Sequence, residues 1–278
     1  MKKFTKVSLI IACVTAALGI VLCIASLALG FSFDKAGKAL ERGAFNVSFD
    51  NGIDIGFGNN ITLDESVEEP VVLDKPMDLV MDVGGAEVKI EQSDDGKFFV
   101  DAEGINMKWN IQDDEIVVQT GSKHQFVFFH NGSVGEVTVH VPKDYQFKDV
   151  EIECGAGSLN MDMVQADSID IQLGAGEVIA KKIVAGSLDI ECGAGSVDIS
   201  GSVKDNADIE CSMGEVSLDV EQEEKYYNYD IECSMGEVKL NDSSYSGIGV
   251  EKYIDNSSKH EMSIECSMGE ISVTTGGK

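Results

Sequence analysis

Arginine is almost missing from this chain of 278 residues, and Arg42 is the only one. Proteins that grip phosphates or carboxylates ordinarily use the forked donors of a guanidinium, and the chain beyond residue 42 has none. Basic charge is scarce altogether. Once Lys2, Lys3 and Lys6 are set aside, 49 acidic residues face 18 basic ones, a formal charge of −31. Nucleic acid and anionic lipid surfaces are therefore poor partners for this body. Trp109 is the single tryptophan, so there is no aromatic platform for a long glycan. The Gly-x-Ser-x-Gly elbow, His-Glu-x-x-His and the phosphate-binding loop are absent, and so is the Cys-x-x-Cys spacing of zinc sites.

The four histidines are His124, His130, His140 and His260. Only the first two are close, on one face of the strand-like stretch 124–130, a spacing typical of a loop-proximal pair rather than of ligands. The best enzymatic alternative is a β-helical polysaccharide lyase, whose carboxylates hold calcium. It needs a strong base or an arginine beside the substrate's uronate, and this body offers only lysine. The expectation is a protein that is not an enzyme.

What is present is a repeat. Ile-Glu-Cys-Gly-Ala-Gly, or a close variant, begins at Ile152, Ile171 and Ile190, and Ile-Glu-Cys-Ser-Met-Gly at Ile209, Ile231 and Ile264. The first three steps are 19 residues, and the last two stretch to 22 and 33. A short period with the same residue in each column signals one unit stacked on itself. Apolar and polar residues alternate within each copy, as in Ile169-Asp-Ile171-Gln-Leu173, which is the pattern of a half-buried strand. Gly-Ala-Gly or Ser-Met-Gly reads as a corner where glycine permits backbone angles that a Cβ resists. The fold expected is all-β, a repetitive β-solenoid with rungs of about 19 residues. A twisted antiparallel sandwich is the alternative, because a repeat does not fix strand direction.

Residues 7–31 are 25 consecutive uncharged, mostly apolar residues preceded by three lysines. At about 1.5 Å per helical residue they cross a bilayer core of roughly 30 Å. A cleaved signal peptide and a lipoprotein at Cys13 are the competing readings, but the apolar run is long for the first and continues well past the second. The expected organisation is an amino-terminal transmembrane anchor over 1–32, a juxtamembrane stalk and linker over 33–75, and a β-strand repeat domain over 76–278. Lysines before the anchor favour a single-pass protein of the cell membrane with its carboxyl-terminal domain outside, although Lys35, Lys38 and Arg42 follow it. Strands are expected from residue 77, with Val83 in a degenerate first copy, and at 98–102, 116–120, 126–129 and 137–141.

The strand Val137-Thr-Val-His-Val-Pro-Lys143 runs directly into the I-E-x-G-x-G units, behind an amino-terminal anchor and a glycine-marked strand near residue 83. This order resembles the bacterial putative-adhesin family, membrane-anchored envelope proteins of unknown function with β-strand repeats, common in Gram-positive cells. The likeness covers residues from about 76 to the end. It implies architecture, an envelope location and a loose association with envelope-stress systems. It carries no catalytic residue.

Several columns have chemical content. Cys154, Cys192, Cys211, Cys233 and Cys266 share a column with Val83 and Leu173, so they read as small inward hydrophobes. Rungs about 4.8 Å apart do not suit a disulfide, whose Cβ atoms lie near 3.8 Å. Met213, Met235 and Met268 are expected to pack the corner, the alternative being a soft ion such as Cu(I) on stacked sulfurs. Glu153, Glu191, Glu210, Glu232 and Glu265 stack outward, with acidic residues two positions earlier and more after the corner. Charges about 5 Å apart repel by roughly 0.8 kcal/mol even in water. One explanation is a weak site for a divalent cation such as Ca²⁺, and the other is a solvated face that keeps the protein soluble and its edges unpaired. No other cofactor is implied. Tyr226, Tyr227 and Tyr229, in an insertion between copies, are candidates for contact with an envelope protein or glycan, or else a cover for the flank. These features suggest a non-enzymatic role in adhesion, scaffolding or sensing. The alternative is an envelope-stress signalling accessory acting through the anchor, which an anchor swap would separate by abolishing function.

Overall fold

The computed structural model describes residues 46–48, 54–56, 67, 69–120 and 135–276. The expected anchor at 7–31, the strand at 126–129 and the histidines His124 and His130 lie outside them. Among the described residues no helix is long and apolar enough to cross a membrane. The chain divides into two compact units, Met1–Asn60 and Ile61–Lys278. In the first, Asn46–Ser48 pairs antiparallel with Asp54–Gly56.

The second unit is all-β, a long repetitive sheet whose rungs pair parallel. Each copy of the repeat supplies two strands joined at its glycine corner, and the strands fall into two rows over one hydrophobic core. Ile152, Ile171, Ile190, Ile209, Ile231 and Ile264 are all buried, as are the apolar residues two positions on. Like residues meet like: Ile171 pairs with Ile152 and Ile190, and Ile209 with Ile190 and Ile264. A parallel in-register stack follows directly from one unit repeated, because each side chain finds its own kind above and below.

Spatial order departs from chain order at both ends. Strand His260–Cys266, from the last copy, lies between Ala207–Cys211 and Tyr227–Cys233. The 33-residue step therefore contains a return. After Tyr227–Cys233 and Glu237–Leu240 the chain reverses through Ser243–Ser246 and Val250–Ile254, both paired antiparallel at the edge. It then re-enters one rung further in. The amino-terminal end does the same. Strand Asp78–Val83 lies between Glu115–Thr120 and Gln146–Cys154, and the antiparallel strands Met107–Gln112 and Phe99–Glu103 close the edge. Met107–Gln112 is a strand the sequence pattern does not announce. Part of the expected linker docks on this end, since Val67 donates to Trp109 O at 2.8 Å and Val71 pairs with Phe98.

The corners continue the ladder. Gly174 N donates to Cys154 O at 2.9 Å, and Ser212 N to Cys192 O at 2.9 Å. The reason for the last corner glycine is proximity rather than backbone angle. A Cβ on Gly176 would sit 2.0 Å from Gly157 O, and one on Gly214 would sit 2.3 Å from Gly195 O. Neither position needs a positive φ.

Candidate functional site

The outward face of the first row carries the carboxylates. Pairing places Asp82, Glu153, Gln172, Glu191, Glu210, Glu265 and Glu232 side by side in that order, with Glu251 opposite Glu232 on the edge strand. The five glutamates named from the repeat are thus divided. Four are consecutive, while Glu153 stands apart beyond Gln172 and next to Asp82. Asp82 and Glu251 extend the ladder, and neither is part of the exact hexamer. Two residues earlier runs a second column, Glu151, Asp170, Asp189 and Asp208.

The two rows handle this repulsion differently. In the second row Lys89 bridges Glu136 at 2.9 Å and Glu87 at 3.4 Å, and Lys239 bridges Glu270 at 2.6 Å and Glu237 at 3.5 Å. In the first row Lys148 bridges Asp78 at 3.3 Å toward the amino-terminal end, but the strands 165–173, 184–192, 207–211, 227–233 and 260–266 contain no lysine. Protons take up part of the strain. Burial, then the charges of Asp82 and Glu151, push Glu153 up to about 7. Burial, then Asp170, Asp208, Glu191 and Glu210, push Asp189 up to about 7. Both carboxyls hold a proton more tightly folded than unfolded. Their stabilising share is complete below about pH 4 and is lost as the pH rises through 7.

Asp189→Asn, which cannot ionise, is therefore expected to gain stability at pH 8 and to lose that advantage near pH 4. Asp189 is partly exposed, so solvent screening reduces the gain to about 1–2 kcal/mol. Thermal melts across that pH range measure it. A gain that does not depend on pH would contradict the assignment.

The other columns divide between expectation and correction. All five cysteines are buried and free of disulfides. Cys192, Cys211, Cys266 and Cys233 are consecutive, with Cys154 beyond Leu173. Burial pushes the thiols of Cys154 and Cys266 up, and the hydrogen bond between Cys211 and Cys192 favours ionisation of Cys192 at the expense of Cys211. The methionines do not pack a core. Met213, Met235 and Met268 stand exposed at the corner, because the chain turns after the cysteine and the alternation of sides stops there.

Two of the three tyrosines of the insertion are internal, although Glu221, Glu223, Glu224 and Lys225 before them are exposed. Tyr227 and Tyr229 are fully buried, so their rings offer no contact surface. Tyr227 Oη donates to Val203 O, Tyr229 Oη donates to Glu224 O at 2.9 Å, and burial pushes both phenols up. Tyr226 is partly exposed and stacks on His260 with ring centroids 4.6 Å apart. His140 stacks on Phe99 at the other end, between Glu91 at 3.3 Å and Asp101 at 3.5 Å. Among the described residues no group of three or more His, Cys, Asp and Glu is placed to hold a metal ion.

Three solved structures resemble the chain in part. A putative cell adhesion protein from Clostridium sporogenes is 18% identical, with 76% of this chain and 100% of that one covered at a TM-score of 0.40. A putative adhesin from Bacteroides fragilis is 12% identical, with 76% and 98% covered at 0.33. A putative lipid binding protein from Parabacteroides distasonis is 17% identical, with 74% and 93% covered at 0.31. No curated protein matches. Residues 77–275 match the family described as Toastrack DUF4097, and this span holds every rung and both closing ends. The chain belongs to the Toastrack DUF4097 family.

Proposed function

We propose that this protein is a non-enzymatic β-solenoid held at the cell membrane by residues 7–31 and displayed outside it, where it serves adhesion, scaffolding or sensing. The observation that carries the reading is the carboxylate ladder, which runs from rung to rung without a lysine across the middle of one face. Such a face repels anionic surfaces and concentrates cations. Hard cations such as Ca²⁺ take several oxygen ligands, and extracellular sites work at weak affinity. Rungs about 4.8 Å apart let one ion face carboxylates of two neighbours, so binding is spread along the ladder rather than held in one chelate. Glu191, Glu210, Glu265 and Glu232 are its centre, and Glu153 with Asp82 forms a separate shorter stretch. An envelope protein or glycan then docks through the bound cations.

The test is thermal unfolding in EDTA and in millimolar Ca²⁺ at constant ionic strength. A ligand at a hundred times its dissociation constant stabilises by about 2.7 kcal/mol. For a domain of this size that is about 5–10 °C. Glu210→Gln with Glu265→Gln, the central adjacent pair, is expected to remove most of the shift. A melting temperature indifferent to Ca²⁺ in the unmodified protein would return the ladder to a solubility role.

A further inference from the structure

The corner position holds alanine in three rungs, Ala156, Ala175 and Ala194, and methionine in the three others. The methionines are neighbours in space. Met268 N donates to Ser212 O at 2.7 Å and Met235 N to Ser267 O at 2.7 Å, so Met268 stands between Met213 and Met235. All three are solvent-exposed, at 62%, 54% and 51% for Met213, Met268 and Met235. They are half of the large hydrophobic side chains exposed among the described residues, the rest being Val72, Ile248 and Tyr253. Packing does not ask for them, since alanine fills the same exposed corner elsewhere. Leaving so much apolar surface in water forgoes the gain of burial, and doing so three times in one column points to the sulfur. Met213 and Met268 line an open groove of about 690 Å³ together with Ala194, Glu215 and Glu270.

We propose that Met213, Met268 and Met235 form a surface site for a soft monovalent cation, Cu(I) or its redox-inert counterpart Ag(I). Thioether sulfur is a soft ligand that selects Cu(I) over the hard cations suited to carboxylate oxygens. Each methionine has three rotatable bonds, and rungs are about 4.8 Å apart, so three stacked sulfurs can close on one ion. The glutamates just beyond the corner, Glu215, Glu270 and Glu237, lie in register with one another. Lys239 bridges Glu270 and Glu237, so Glu215, outside that bridge, supplies the negative potential that gathers a cation without competing for a soft one. The thiols of Cys211, Cys266 and Cys233, two residues before the methionines, are 1–3% exposed and do not reach that surface. A thioether carries no proton, so this site keeps its affinity in acid, where thiols, imidazoles and carboxylates lose theirs.

The experiment titrates the full chain with Ag(I) in chloride-free buffer and with Cu(I) under anaerobic competition against a chromophoric chelator. X-ray absorption reads the ligand atoms. The expected result is one ion per chain in a sulfur shell, with an affinity that changes less than threefold between pH 8 and pH 5. Met268→Leu keeps the volume and the apolar surface, and is expected to weaken binding at least tenfold while the melting temperature holds. Met235→Leu on its own is expected to act in the same direction. Affinity unchanged from the unmodified protein in both variants would overturn the proposal. So would binding lost at pH 5 or abolished by Cys211→Ala, which would assign the ion to imidazoles or thiols.

Discussion

Ile264→Asp is expected to unfold the carboxyl-terminal end of the protein over residues 207–275, although Ile264 belongs to the last copy of the repeat. In a stack that followed chain order this residue would sit on a terminal rung, and damage there would fray only its own strand. Here Ile264 pairs with Ile209 on one side and Ile231 on the other, and it is fully buried. Among the described residues, strand Tyr227–Cys233 pairs with only His260–Cys266 and the edge strand Val250–Ile254. A carboxylate in that position must be buried uncompensated or neutralised, and the methyl groups it replaces leave a void. The combined cost is about 5 kcal/mol or more. Amide exchange is the readout. Protection is expected to fall across 207–254 as well as 260–275, while strands 146–192 keep theirs, as nearest-neighbour stacking requires. Loss confined to 260–275 would contradict the inserted rung.

Gly176→Ala is the second large effect. One methyl group must enter a gap in which Gly157 O stands 2.0 Å away and Gly157 C 3.1 Å away. Both atoms are backbone, held in the parallel ladder, so nothing can rotate aside. Forcing the rungs apart is expected to cost about 3 kcal/mol, roughly 6–12 °C in melting temperature. Gly85→Ala is the matched control, since its Cβ would meet nothing within 4 Å, and it is expected to stay within about 0.5 kcal/mol. Equal losses at the two positions would mean that conformation rather than close approach dictates the corner glycine.

Much of the architecture is legible in the sequence because the physics of a repeat is local. Ile190 and Cys192 point inward by alternation, and the 19-residue period sets equal residues beside each other. The periodic rule ends where the chain turns. Two positions beyond a cysteine, alternation assigns Met213 to the interior, but the corner intervenes and leaves it in solvent. Tyr227 and Tyr229 show the reverse. They share alternate positions with Ile231 and Cys233, a signal for burial that outweighs the association of tyrosine with interfaces. The order of the rungs is not legible at all. Ile231 and Ile264 sit in identical hexamers, and only the antiparallel return through residues 243–254 decides which of them meets Ile209. That choice in turn decides which glutamates and which methionines are neighbours, so both candidate sites depend on a feature no single copy contains.

The carboxylate ladder and the methionine column rest on one claim, that the rung of Ile264 is inserted in register between those of Ile209 and Ile231. Nitroxide labels at pairs of introduced outward cysteines test it most directly, by the shape of the spin–spin interaction. Labels replacing Glu210 and Glu265, or Glu265 and Glu232, stand on adjacent rungs about 4.8 Å apart and are expected to show strong exchange. Labels replacing Glu210 and Glu232 stand two rungs apart, about 9.6 Å, and are expected to show dipolar broadening without it. Strong exchange between positions 210 and 232, with none between 210 and 265, would restore chain order and contradict the account.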